Sequence, residues 1–274
     1  MNTRSAAAAA ATAATLLLAA CGGSNGDDPT AGASDDAKRY AFAARDRHVA
    51  DPRFVDVPTE RLLAAEHARA ALAGPPPARA RSSAGDTVYL CAVDAGGNAC
   101  SLIESVYYGF GSCFVAGDTG LLMHNRGRSF SLDDADPNRL EPGKRPLHTL
   151  MASMAFEGGD PRLVFGTMGA DGQAQTTVQV LERWLSGADV AEAVSAPRLL
   201  HGRFYPEDDP EALTVESGFG ADTIEALRRR GLDPIVLGDR DERLGHAHAI
   251  ELRADGGVEA ASDPRSDGAA IVLD

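Results

Sequence analysis

The feature that most constrains this chain is a change of pattern at residue 85. From Thr87 the sequence runs through Val88, Tyr89, Leu90 and Cys91 to Ala92 and Val93, rich in β-branched and aromatic side chains. It then meets a glycine-containing turn at 94–98 and continues as a second such run over 99–106, which predicts a β-hairpin. Further strands are predicted over 121–125, 163–166, 213–216, 234–237, 248–252 and 258–261. Helices are predicted over 37–48, 59–72, 175–187, 190–194 and 221–230, with Thr59 placed to cap the second. Strands and helices interleave but start from a hairpin. That order favours a layered α+β sandwich over a doubly wound parallel sheet.

The 274 residues are 44% hydrophobic and 24% charged, as in a globular chain with one sizeable domain or two small ones. A net charge of −14 disfavours phosphate backbones, so nucleic acid is not an expected partner. The first 21 residues read as a targeting segment. A basic start at Arg4 precedes a small apolar run over 6–20, too short to span a bilayer. The run Leu18-Ala19-Ala20-Cys21 resembles a bacterial lipobox, which implies lipidation at Cys21, a cell-envelope location and membrane contact through that anchor alone. The plainer reading is an alanine-rich leader of low complexity. Residues 22–36 read as a flexible tether, 37–86 as helices plus a proline-rich linker, and 87–274 as the main domain. Apart from Cys21, the cysteines are Cys91, Cys100 and Cys113. Cys91 and Cys100 flank the turn and could approach each other, but strand positions favour buried free thiols. No Cys or His spacing suggests a metal.

Residues 36–58, the triplet Gly85-Asp86-Thr87, and the pair Gly97-Asn98 occur in a telling order. They are followed by Phe110-Gly111-Ser112, Thr119-Gly120-Leu121-Leu122, Asn125, Phe130-Ser131, Lys144-Arg145-Pro146-Leu147, Ala196-Pro197-Arg198 and Ser262-Asp263-Pro264-Arg265. This series resembles the gamma-glutamyltransferase family, from the end of its large subunit through its small subunit. The resemblance implies the N-terminal-nucleophile hydrolase fold, an αββα sandwich. It also implies self-cleavage of the Asp86–Thr87 bond. Thr87 would then carry both the nucleophilic hydroxyl and, as its base, the α-amine that cleavage creates, whose reference pKa is about 7.7–8.0. Taken alone, Thr87 would read only as the start of a strand.

The same resemblance gives Ser105 a hydroxyl contact with the nucleophile and makes Gly169 and Ala170 the oxyanion-binding amides, where small residues allow close backbone approach. It places Asn125, Arg126, Ser129, His148 and Thr149 at substrate-binding positions. No cofactor is implied. The implied activity is hydrolysis or transpeptidation of gamma-glutamyl compounds such as glutathione. The chain departs from the family pattern in two respects. Most of the large subunit is missing from the sequence, so the fold is expected to be truncated on its N-terminal side. A fragment, a gene-boundary error, a decayed copy, or one half of a split enzyme with a separate large-subunit-like chain would each account for that. The second departure is in the substrate positions. Ser129 stands where an acid holds the substrate ammonium, and Arg126 replaces a neutral polar residue beside it. These changes point to the alternatives of an acylase for a glutaryl-type amide or an inactive lipid-anchored remnant.

Overall fold

The structure is a computed structural model, and it describes residues 30–73, 86–170, 172–204 and 208–273. The leader, Cys21, most of the tether and the linker over 74–85 lie outside the described residues. The chain forms two compact units: residues up to 82 with 106–149, and 83–105 with 150–274.

In the first unit, helix α1 (Thr30–His48) begins seven residues before the expected start, so part of the expected tether is helical. The helix expected over 59–72 is two pieces, α2 (Thr59–Leu63) and α3 (Ala65–Leu72), separated by Ala64 at ψ 132°. The break has a packing reason. Leu62 and Ala68 are both buried, and at about 100° per residue they would lie on different faces of a continuous helix. Thr59 does not cap α2: Pro58 is the N-cap residue, and the Thr59 hydroxyl instead donates to the Val57 carbonyl at 3.3 Å. The expected strand over 121–125 reduces to a single bridge between Val115 and Leu122, because Leu121 and Met123 face outward. Side chains hold this irregular region together. Asn138 Nδ2 donates to the Val49 carbonyl at 2.9 Å, and buried Asp51 accepts from Arg53 Nη2 at 2.6 Å and from the Arg145 amide at 2.9 Å.

In the second unit, β1 (Asp86–Val93) and β2 (Ala99–Tyr107) form the expected hairpin, whose last two residues enter the first unit. A four-stranded antiparallel sheet follows, in the order β3 (Ser153–Glu157), β4 (Asp160–Thr167), β8 (Ala247–Leu252), β9 (Val258–Ser262). Strand β3 was not expected from the sequence. It joins β4 through Gly158 and Gly159, whose φ values of 62° and 100° are the two left-handed positions of a tight hairpin turn. On one face of β4 and β8, Leu163, Phe165, Ala247 and Ala249 pack with Val180, Val190 and Val194 of helices α4 (Gly172–Leu185) and α5 (Val190–Ser195). The hairpin lies on the opposite face, since β1 contacts both β4 and β8. Hairpin, sheet and helices are layers of the α+β sandwich expected.

A smaller sheet comprises β5 (Leu199–His201), β6 (Leu213–Glu216) and β7 (Ile235–Leu237), with α6 (Ala221–Arg229) joining the parallel pair β6–β7. Two sequence motifs meet in a buried ion cluster. Arg198 Nη2 pairs with Asp263 at 2.7 Å, while Arg265 pairs with Asp263 at 3.0 Å and with Glu216 at 2.5 Å. Desolvation pushes Arg198 down to about 10, offset only in part by Asp263. For Arg265 desolvation is again the largest single effect, but the two carboxylates together outweigh it and the net shift is upward. The free thiols are less enclosed than expected. Cys91 is half-buried, and Cys100 and Cys113 are exposed, Cys100 because it lies on the outer face of the hairpin.

Candidate active site

The hairpin alternates strictly at its start. Thr87 and Tyr89 are buried, whereas Val88 between them and Leu90 after them are exposed, so Thr87 faces inward with Tyr89. Thr87 Oγ1 donates a hydrogen bond to Ser105 Oγ on β2 at 3.0 Å. The structure therefore brings together the expected nucleophile and the expected hydroxyl partner. Thr87 directly follows Asp86, the first residue of β1.

Tyr89 sits two residues from Thr87 and was not singled out in the sequence. Its ring occupies the space that a Cβ on Gly166 would need: such an atom would lie 2.5 Å from the ring. The ring stacks near His248 at a centroid separation of 6.4 Å, and its hydroxyl hydrogen-bonds Ser101 Oγ at 2.8 Å. Burial raises its pKa well above the usual value, so it serves as a neutral spacer fixing the distance between β1 and β4. Alternation along the nucleophile strand, combined with a glycine in the facing strand, was the available signal.

Strand β4 ends in the loop that carries Gly169 and Ala170. Gly169 has φ 135° and Ala170 φ 51°, the latter a left-handed conformation that costs an L-residue about 1 kcal/mol. Ala170 is buried, and among the described residues neither amide donates to a protein acceptor. The loop is closed behind by helix α4: the Gly172 amide donates to the Gly169 carbonyl at 2.7 Å. Gly245 backs it on the other side, where an added Cβ would be 2.6 Å from the Met168 carbonyl oxygen. Two adjacent amides next to a helix N-terminus have the arrangement of a cradle for developing negative charge.

The remaining expected residues belong to the first unit. Asn125 acts locally as a fastener: its Oδ1 accepts from the Tyr108 amide at 3.1 Å and its Nδ2 donates to the Gly111 carbonyl at 2.8 Å. Arg126 opens a 3-10 turn, Arg126–Ser129, and is buried with its guanidinium 4.8 Å from the centre of the Tyr107 ring. Ser129 and Thr149 are half-buried. His148 is exposed overall, yet local desolvation, then Arg126 and Arg145, lower its pKa and favour the neutral ring.

The family model described as gamma-glutamyltranspeptidase matches residues 27–273. The "Glutathione hydrolase-like YwrD proenzyme" of Bacillus subtilis is 43% identical over 86% of this chain and 46% of its own length. The "Oxamate amidohydrolase proenzyme" of Klebsiella pneumoniae is 41% identical over the same shares. Among solved structures, a cephalosporin acylase from Bacillus halodurans superposes with a TM-score of 0.79 at 30% identity, covering 97% of this chain and 49% of that one. The chain thus spans about half the length of the relatives it matches. A family match over nearly the whole chain, and a fold shared with a solved acylase, show that this chain belongs to the gamma-glutamyltranspeptidase family of hydrolases and acylases.

Proposed function

We propose that this chain cleaves small acyl amides by acyl transfer to Thr87. The observation that carries this reading is the Thr87–Ser105 hydroxyl pair at 3.0 Å on the first inner strand. The names of the two relatives above, both proenzymes, support a maturation step. In that step, Thr87 Oγ1 attacks the Asp86 carbonyl carbon and the Asp86–Thr87 C–N bond breaks. The hydroxyl proton passes to the departing nitrogen, which becomes the α-amine of Thr87. Water then hydrolyses the ester, leaving the Asp86 carboxylate and restoring the hydroxyl.

In turnover the α-amine accepts the Thr87 hydroxyl proton as Oγ1 attacks the substrate amide, and it returns that proton to the leaving amine. The Gly169 and Ala170 amides stabilise the tetrahedral oxyanion. Ser105 holds Oγ1 in its attacking position. Water resolves the acyl ester in hydrolysis, and an amine resolves it in transpeptidation.

Gamma-glutamyl compounds such as glutathione are the substrates that the family name suggests. A specific feature favours a second reading: the 3-10 turn at 126–129 contains no acid, and Ser129 offers a hydroxyl where an ammonium would need a carboxylate. Glutaryl-type amides, which lack that ammonium, fit the turn better. The leader supports export and lipid anchoring at Cys21, and a large-subunit-like polypeptide is the proposed partner.

Hydrolysis of gamma-glutamyl and glutaryl p-nitroanilides, measured side by side with Thr87→Ala, tests the reading. The expected result is release of nitroaniline by the wild type, faster from the glutaryl compound, and none above background by Thr87→Ala. Equal rates from wild type and Thr87→Ala would dismiss Thr87 as nucleophile.

A further inference from the structure

The four-stranded sheet carries a cross-strand row on the face it turns to the hairpin. Gly166 of β4 pairs with His248 of β8, which pairs in turn with Ser262 of β9. The ring of Tyr89, on the nucleophile strand, is seated on this row. A Cβ on Gly166 would lie 2.5, 2.7 and 2.9 Å from three carbons of that ring. The His248 ring stands beside it, with the two planes 15° apart. Tyr89 is buried.

Space, rather than backbone conformation, demands the glycine. Gly166 is not among the positive-φ residues, so its backbone suits any residue and only the ring keeps a side chain out. Both halves of the contact are fixed. His248 Nδ1 accepts from the Asp263 amide at 3.4 Å and meets the Ser262 hydroxyl at 3.1 Å. Gly268 closes on the same ring, where a Cβ would be 2.6 Å from Cε1. The Tyr89 hydroxyl is tied to Ser101 Oγ on the other strand of the hairpin at 2.8 Å. Close-packed contacts of this kind transmit small displacements rather than absorb them. The seat also lies near the chemistry on both strands. Thr87 is two residues before Tyr89 on the same inward face, about 7 Å along the strand. Gly166 is three residues before Gly169, on the strand that leads into the loop of Gly169 and Ala170.

We propose that Tyr89 is a positioning residue for the nucleophile. Seated against Gly166 and His248, its ring sets how closely the nucleophile strand approaches the sheet, and with that the gap between Thr87 Oγ1 and the Gly169 and Ala170 amides. The proposal rests on the acyl-transfer reading above. A reacting group displaced by about 1 Å loses on the order of a hundredfold in rate, so the fit of one ring governs the chemical step. The volume of the ring is what matters, because the hydroxyl bonds only Ser101. Tyr89 acts on Thr87 through the strand they share, so its effect falls on kcat and leaves KM nearly unchanged.

The test is steady-state hydrolysis by the full chain of whichever of the two p-nitroanilides the wild type cleaves faster. Intact mass counts the self-cleaved chains, so that kcat is taken per cleaved chain, and circular dichroism checks folding. Tyr89→Phe, which keeps the ring, should retain most of kcat. Tyr89→Leu and Gly166→Ala should each lower kcat at least about tenfold with KM nearly unchanged. Combined, they place a methyl group in the space the ring leaves, and the double variant should be faster than either alone. Two changes that merely weakened the fold would add their losses instead. A folded variant that no longer cleaves itself supports the proposal too, since the same hydroxyl attacks in both steps. Wild-type kcat in folded Tyr89→Leu would overturn it, as would a double variant slower than both single ones. Should Tyr89→Leu not fold, wild-type kcat in folded Gly166→Ala would overturn it in its place. A wild type as silent as Thr87→Ala would instead dismiss the acyl-transfer reading, and this proposal with it.

Discussion

Thr87 Oγ1 donates to Ser105 Oγ, and in the proposed reaction its proton acceptor is the α-amine that cleavage creates. The pH profile follows from that. The α-amine must be neutral to act as base, so activity should be lost as pH falls below its pKa of about 7.7–8.0 and should rise to a plateau above it. A rate profile flat between pH 6 and 9 would rule the amine out as the base. Ser105→Ala should keep the fold and lower turnover roughly tenfold to a hundredfold, the worth of one hydrogen bond to a reacting charged group. The cysteines report on packing at the same scale. Burial pushes the Cys91 thiol up to about 11, with the neighbouring Tyr89 and Cys100 as smaller influences, while Cys100 and Cys113 are exposed. Maleimide at neutral pH should therefore label Cys100 and Cys113 well before Cys91, as peptide mass mapping would show.

At the scale of elements, two polar fastenings carry distinct predictions. Asp51 ties the turn after α1 to the segment at Arg145, and its carboxyl is held far below the usual range, chiefly by the Arg53 guanidinium. A depressed folded pKa contributes stability that is present above the unfolded value of about 3.9 and is lost as pH falls below it. Asp51→Asn should cost about 1–3 kcal/mol at neutral pH and flatten the acid limb of a denaturation curve. In the second unit, Arg265 spans Asp263 and Glu216 with no exposed side-chain surface at any of the three. Arg265→Ala leaves two buried carboxylates short of their partner and should destabilise by about 3–5 kcal/mol in thermal unfolding.

Elements also show what could be read in advance. The hairpin was legible because Thr87 to Val93 combines strand-forming residues with a glycine turn, and β6 because Leu213 to Glu216 is a short strand-forming run. Strand β3 was hidden although Gly158-Gly159 announced its turn, since Ser153 to Glu157 has no clean alternation. The break at Ala64 was invisible because alanine favours helix, and only tertiary burial of Leu62 and Ala68 overrides that preference. Of the site, Thr87, Ser105, Gly169 and Ala170 came from motif order. Arg126 came from it too, but its contact with the Tyr107 ring did not, because that contact depends on a left-handed tyrosine that no residue pattern signals.

The whole molecule poses a question of completeness, because the chain spans about half the length of the relatives it matches. Its outer hairpin face exposes Val88, Leu90 and Leu102, yet the inner face, the four-stranded sheet and the helices behind it form a packed core. We propose that this core is enough to place Thr87 for attack on its own preceding bond. The most direct test is the intact mass of the purified chain during incubation at neutral pH, with Thr87→Ala alongside. A fragment running from Thr87 to Asp274 is expected to accumulate in the wild type and never in the variant. A wild-type chain that stays whole, or is cut elsewhere, would contradict it.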